Sequence, residues 1–243
     1  MLKLTPIKLD IFNITLLSEF LPLLFALIFF KKLQGKAMKV FFIYLLVLCV
    51  FLISSSFFKF YLQSVTNYVA ILKLYTLIEY SLIGIFLIKI LSSKILKKLI
   101  LISIPLFAVG TVIVQFVIFA KTFNSLPLII ESLLLISFFV IFFYEKMKTV
   151  NTYPLSQSII FWICVGFFIY FAGNFFFILF ITYSTNQEFV DNQRIVYGIV
   201  TISKNIILSL AFFANEPTTK EQETLQVPEG VDLGDFTPTS FKN

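Results

Sequence analysis

Five ionisable side chains lie inside long apolar runs of this 243-residue chain, and they carry the chemistry that the sequence offers: Glu19, Lys73, Glu79, Glu131 and Lys204. A charged group deep in a bilayer costs about 2.5–3.5 kcal/mol to insert. It must therefore face a protein interior, pair with an opposite charge or become neutral. Groups of this kind mark proton relays, ion pathways and internal ion pairs. We expect these five residues, with Asn174 and Asn205, to form a buried polar cluster.

The depth of these residues along their apolar runs separates them into two groups. Glu19, Glu79 and Lys204 lie close to the centres of their runs. For Glu79 and Lys204 the sequence predicts a pair within one internal polar cluster, with Asn174 and Asn205 nearby. Lys73 lies about two turns from the start of its run and has two equally good placements, buried or extended to the membrane surface. Glu131 also has an interfacial alternative. The cluster serves structure alone, or it serves ligand sensing or transport.

Composition excludes the usual chemistry of soluble enzymes. Hydrophobic residues make up 59% of the chain and charged residues 13%, against about 25% charged residues in a soluble domain. The chain has no histidine and two cysteines, Cys49 and Cys164, so the commonest general base and the usual zinc ligand sets are missing. The sequence predicts no enzyme, no metal site and no cofactor. Because the basic residues fall in short loops, it predicts no nucleic-acid partner either.

A lysine in the last apolar run and a carboxylate in the third also suggest a retinal protein, with Lys204 as Schiff base and Glu79 as counter-ion. Two features argue against this interpretation. The microbial family has an acid four residues before its lysine, where this chain has Val200, and Trp162 is the only tryptophan. The usual aromatic box around a chromophore is therefore missing.

Seven apolar runs reach the roughly 20 residues that a transmembrane helix needs. They are Ile11–Phe30, Val40–Phe58, Tyr68–Leu91, Leu99–Ala120, Leu126–Tyr144, Ser158–Tyr183 and Arg194–Ala214. The sequence therefore predicts an all-α membrane protein, a seven-helix bundle over residues 1–214.

Lysine and arginine predict the orientation of the bundle. The loops after the first, third and fifth runs hold nine lysines, whereas the other loops and the N-terminal stretch hold five basic residues. Because cytoplasmic loops carry the excess of Lys and Arg, the N-terminus is expected outside and the C-terminus inside. The predicted location is a cytoplasmic (inner) membrane that the chain crosses several times.

Two further segments have a distinct pattern. Gly166, Tyr170, Gly173 and Asn174 share one face of the sixth run, where the glycines allow a neighbouring helix to come close. Residues 215–243 hold six acids, two bases and three prolines, with no apolar period. This composition predicts a disordered cytoplasmic tail. It is either a solvated terminus or a docking segment for another chain.

Three short motifs resemble a group of uncharacterised bacterial seven-helix membrane proteins: Tyr75-Thr76-Leu77-Ile78-Glu79-Tyr80, Phe161-Trp162-Ile163-Cys164-Val165-Gly166 through Ala172-Gly173-Asn174, and Ile202-Ser203-Lys204-Asn205-Ile206-Ile207. The resemblance covers most of Met1–Ala214. Members look like companions of sensor histidine kinases, so the resemblance implies a signalling partner and a location in the inner membrane of a bacterium. Many carry a histidine early in the last helix, where this chain has Tyr197.

The sequence thus predicts a non-enzymatic polytopic membrane protein that works in the lipid bilayer as a sensor or signalling subunit with a protein partner. Its polar cluster would sense a small molecule, a lipid or the state of the membrane. One alternative is a small secondary transporter or ion pathway that uses the buried carboxylates for coupling. Another is a structural subunit of a membrane complex. The chemistry of the ligand stays open at this point.

Overall fold

A computed structural model describes residues 13–119, 124–148, 154–183 and 187–215, and this part of the chain is helical with no strand. Its helices are α1 (Asn13–Ile28), α2 (Lys36–Ser56), α3 (Val65–Ile90), α4 (Lys94–Val112), α5 (Leu126–Lys148), α6 (Ile159–Tyr183) and α7 (Gln187–Leu210). Two π-helical turns, Phe57–Tyr61 and Ile113–Ile118, extend α2 and α4. Short 3-10 turns lie at Phe30–Leu33, Leu155–Gln157 and Ala211–Phe213.

Six of these helices, α2 to α7, are long and apolar enough to cross a membrane. This is the architecture of a multi-pass membrane protein, and each of the six coincides with a predicted run. Some begin earlier than predicted because the helix continues past the apolar residues. In α4, for example, Ser93 caps the first turn by accepting a hydrogen bond from the Leu96 amide at 3.5 Å.

The first predicted run, Ile11–Phe30, is described from Asn13 onward, and its helix is interrupted. The regular helix breaks at Glu19 and Phe20, and it resumes at Leu21 with Pro22 in its first turn. Proline has no N–H to donate into the preceding turn, so a break at this point is its usual consequence. The described part of α1 is thus an apolar helix below spanning length. Its two predicted first residues, and residues 216–243 of the predicted tail, lie outside the described residues.

The helices close into a ring. Each packs on the next along the chain, and α1 packs on α7, while α3 also contacts α5. The helix α4 is the most peripheral of the six, because 22% of its apolar window is buried against 44% for α3, α6 and α7. Large apolar side chains such as Ile95, Leu106 and Val117 therefore point outward. Such an exposed apolar surface suits contact with lipid tails.

One end of the bundle gathers the lysines. Glu145, near the end of α5, accepts hydrogen bonds from the amides of Ser92 and Ser93, which precede α4. Lys32, after α1, binds the carbonyl of Phe212 at the end of α7. The finishing ends of α1, α3, α5 and α7 therefore meet at one end. We call it the lysine-rich end, and it carries Lys31, Lys32, Lys36, Lys39, Lys89, Lys94, Lys97, Lys98, Lys146 and Lys148.

Aromatic rings fill the interior next to the lysine-rich end. The aromatic cluster consists of five buried side chains from α2, α3, α5, α6 and the turn after α7: Phe41, Phe86, Phe139, Phe167 and Phe212. The Phe167 ring lies at its centre, 6.1 Å from Phe41, 6.3 Å from Phe86 and 6.0 Å from Phe139 between centroids. Phe212 completes it, 6.3 Å from Phe41. These rings pack one end of the bundle with apolar atoms.

Glycines set the contact between α6 and α7. A Cβ atom built on Gly173 would lie 2.6 Å from Cγ1 of Val200, and one on Gly166 would lie 3.0 Å from Cδ2 of Leu208. Both neighbours are on α7. The structure thus places the two glycines of the predicted packing face where a neighbouring helix comes close.

Replacing Gly173 by Ala is expected to destabilise the protein by about 1–3 kcal/mol, the usual cost of overpacking. The β-branched Val200 has little freedom to move away, so Val200→Ala in the same chain should restore much of the loss. Thermal unfolding in detergent measures both. The matched control is Gly110→Ala, whose added Cβ meets no atom within 4 Å. Equal losses at the two glycines would contradict the close contact.

Candidate functional site

An ion pair joins α1 to α7 in the bundle interior. The Nζ atom of Lys204 lies 3.0 Å from Oε2 of Glu19, and the two side chains are 1% and 8% exposed. The ammonium also lies 4.4 Å from the ring centroid of Tyr170 on α6, within cation–π range. Lys204 is therefore satisfied by one carboxylate and one aromatic face.

The carboxylate predicted to pair with Lys204, Glu79 on α3, has other partners. Its Oε1 accepts hydrogen bonds from the hydroxyl of Tyr75 at 2.9 Å and from the hydroxyl of Tyr44 at 3.3 Å. Glu79 still interacts electrostatically with both Lys204 and Glu19. The predicted direct pair is thus wrong in its partner, because the ring closes α1 onto α7 and puts Glu19 nearest to Lys204.

A second contact between α1 and α7 lies beside the ion pair. The Nδ2 of Asn205 donates to Oγ of Ser18 at 2.9 Å, and the Ser209 hydroxyl donates to the Asn205 carbonyl at 2.7 Å. Asn174 lies one turn after Tyr170 on α6 and is buried. The Oδ1 atoms of Asn174 and Asn205 have no hydrogen-bond partner in the described part of the chain. We call Ser18, Glu19, Tyr44, Tyr75, Glu79, Tyr170, Asn174, Lys204 and Asn205 the polar network.

Lys73 is buried and works elsewhere. Its Nζ donates to the carbonyl of Gln115 at 2.6 Å and to that of Phe119 at 2.8 Å. Gln115 in turn bonds the main chain of Asn124 in both directions, at 2.6 and 3.1 Å. Lys73 therefore satisfies carbonyls at the end of α4, where the π turn closes the helix. Of its two predicted placements, the structure has the buried one.

Glu131 on α5 is likewise inside the bundle, with 2% of its surface exposed. Its Oε1 has no hydrogen-bond partner among the described residues. It interacts electrostatically with Glu79. Neither Glu131 nor Glu79 forms an ion pair in the described part of the chain, so the interior holds two carboxyl groups with no bonded cation.

The sequence missed Ser18, Tyr44, Tyr75 and Gln115. A signal existed for two of them, since Tyr75 precedes Glu79 by four residues on the same helix face and Ser18 is adjacent to Glu19. Tyr44 gave none, because its contact with Glu79 depends on how α2 and α3 pack. Among the described residues, no three His, Cys, Asp or Glu side chains lie together as they would to hold a metal ion.

Comparison with protein-family models, with curated proteins and with solved structures finds no match to this chain. The function of this chain is therefore inferred from its polar network. Chemically, this network can hold a fixed ion pair. Glu79 in the network and Glu131 on α5, the two carboxyl groups with no bonded cation among the described residues, can also respond to a proton or a cation.

Proposed function

We propose that this protein is a non-enzymatic membrane sensor or signalling subunit, in which the polar network detects a ligand or the state of the membrane and the lysine-rich end passes the change to a protein partner. One observation carries the proposal. The contact between α1 and α7 depends on polar bonds at two levels, in the bundle interior and at the point where the C-terminal tail begins.

The two levels share one pair of helices. Glu19 stands at the break in α1 and binds Lys204. At the lysine-rich end, the Nζ of Lys32 donates to the carbonyls of Phe212 at 2.9 Å and Ala214 at 2.8 Å. A change at the ion pair would alter how α1 packs on α7, and this shift would move Ala214. The tail that follows Ala214 would then be presented differently to a partner.

The resemblance to companions of sensor histidine kinases supports the same function. Its three short motifs supply Tyr75 and Glu79, then Asn174, then Lys204 and Asn205 to the polar network. Tyr197, in the region where those proteins commonly carry a histidine, lies beside Tyr170. A partner of the histidine kinase class is therefore our first choice.

The proposal includes a topology of seven spans with the N-terminus outside and the C-terminus in the cytoplasm of a bacterium. In it, α1 completes the first span together with the turn Phe30–Leu33. Single cysteines placed at Lys36 and in the tail should resist a membrane-impermeant thiol reagent in intact cells. A cysteine at Asn67, at the opposite end of the bundle, should react. Labelling of the tail from outside would show that the orientation is the opposite of the proposed one.

Truncation after Asn215 should leave the bundle folded, because the removed residues have no apolar period, and it should lower recovery of the partner. Affinity purification from native membranes followed by mass spectrometry measures that recovery. Lys204→Met should lower it in the full-length chain as well, through the contact between α1 and α7. Unchanged recovery of the partner with both variants would mean that neither the polar network nor the tail takes part in signalling. A stoichiometric partner that ignores every change in the network would point to a structural subunit.

A second candidate function is a small secondary transporter or ion pathway. It is favoured by the break in α1 at a buried ion pair, since interrupted helices often form ion and substrate sites in transporters. The two carboxyl groups without a bonded cation, Glu79 and Glu131, would be the coupling sites. Proteoliposomes discriminate: a transporter moves solute or ions and loses this activity with Glu79→Gln, whereas a sensor moves nothing.

A further inference from the structure

A groove opens on the lysine-rich end, between the end of α1 and the start of α2. It has a volume of about 360 Å³ and is lined by Phe30, Leu33, Gln34, Lys39, Phe42 and Ile43. Four of these side chains are apolar. The rings of Phe30 and Phe42 meet edge to face at 6.0 Å and form part of the wall. The groove therefore offers an apolar floor with an ammonium group at its edge.

The positive charge around this groove has no counter-charge in the described part of the chain. Lys31, Lys36 and Lys39 are exposed, and their side chains make no hydrogen bond or ion pair with any described residue. The sequence has no Asp or Glu between Glu19 and Glu79. Lys32 differs from its neighbours, because it is held by the carbonyls after α7. An occupant of the groove should therefore carry negative charge and some apolar side chains.

The end of the chain has this composition and starts in the right place. Residues 216–243 hold six acids and two lysines, and the stretch Val231-Asp232-Leu233-Gly234-Asp235-Phe236 brings three apolar residues and two of the acids together. Lys32, which precedes the groove residue Leu33, donates to the Ala214 carbonyl at 2.8 Å, so the described chain ends near the groove. The 17 residues from Asn215 to Val231 can span up to about 55 Å when fully extended, which is enough to reach the groove.

We propose that the acidic tail docks onto this groove, with Asp232 and Asp235 facing Lys36 and Lys39 and with apolar side chains of residues 231–236 entering the groove. Single exposed ion pairs are weak. Here, however, the tether raises the effective concentration to about the millimolar range, which makes a weak contact populated. The tail is then covered until a partner displaces it. This docking goes beyond the proposed function and does not require it.

A disulfide cross-link tests the docking in the full-length protein. With Cys49 and Cys164 replaced by Ala, cysteines are introduced as Gln34→Cys in the groove and Gly234→Cys in the tail. Oxidation in detergent and in phosphatidylcholine vesicles should give an intramolecular disulfide at least tenfold faster than the control pair Asn67→Cys with Gly234→Cys. The control uses the same tail position and a residue at the opposite end of the bundle.

Charge variants give the second readout. The double variant Lys36→Gln with Lys39→Gln should slow cross-linking about tenfold, and high salt should do the same. The charge reversal Lys36→Glu with Lys39→Glu should also slow it. Adding Asp232→Lys and Asp235→Lys to that reversal should restore the cross-linking rate. A rate equal to that of the control pair would overturn the proposal. Loss of the cross-link in vesicles containing phosphatidylglycerol would assign the groove to an anionic lipid instead. Cross-linked dimers in place of the intramolecular product would assign it to a second copy of the chain.

Discussion

The Lys204→Met variant is expected to unfold far more readily than the wild type. Its free energy of unfolding should fall by about 3–5 kcal/mol, as when a buried ion pair is broken in a soluble protein. The reason is the carboxylate that stays behind. Glu19 is buried on α1, and it would lose the ammonium that lies 3.0 Å away. The cation–π contact with Tyr170 would be lost as well. Thermal or denaturant unfolding in detergent measures the loss.

The double variant identifies the partner of Lys204. Glu19→Gln with Lys204→Met leaves no lone charge and should recover most of the stability, since a neutral pair of similar volume is tolerated. Glu79→Gln with Lys204→Met is the matched control, and it should recover little because Glu19 remains uncompensated. If stability is recovered with Glu79→Gln and not with Glu19→Gln, the partner of Lys204 is Glu79, as the sequence predicted. Additive losses in both cycles would mean that neither carboxylate is coupled to Lys204.

The sequence predicted which charged residues are buried but not which carboxylate binds Lys204. The cost of charge in a bilayer was enough to select Glu19, Glu79 and Lys204 as buried residues. Their depth alone could not decide which carboxylate meets the lysine. That choice depends on which helices are neighbours, and runs that are apolar all round carry little information about it. In the folded chain, α1 packs on α7, so Lys204 meets Glu19 and leaves Glu79 to Tyr44 and Tyr75.

The helices too were predictable only where they depend on local properties of the sequence. Length and apolarity predicted the six runs that become α2 to α7, because these properties are local. In α1, Pro22 accounts for the break in the helix, but the contact of Glu19 with Lys204 at this break depends on the packing of α1 on α7. Lys73 had two placements by sequence, and the carbonyls at the end of α4 decided between them. Contacts between distant residues account for what the sequence left open.

Phe167→Ala is expected to cost about 3–5 kcal/mol, the usual range for removing a buried aromatic side chain. Phe167 is 1% exposed, and rings from α2, α3 and α5 surround it. In a membrane the loss comes from broken packing and from the cavity, since lipid tails are as apolar as the ring itself. Unfolding in detergent measures this loss, and Phe167→Leu should keep most of the stability.

Phe176→Ala is the matched control, because Phe176 lies on the same helix with 56% of its surface exposed. It exchanges lipid or detergent contacts for others and should cost little. A second readout follows from Cys164, a fully buried thiol one turn before Phe167. We expect the aromatic cluster to keep water out of the bundle interior next to the lysine-rich end. Phe167→Ala should therefore make Cys164 reactive to small thiol reagents under native conditions, whereas Phe176→Ala should not. Equal losses of stability in the two variants, with Cys164 unreactive in both, would show that the aromatic cluster neither holds the helices together nor closes that end of the bundle.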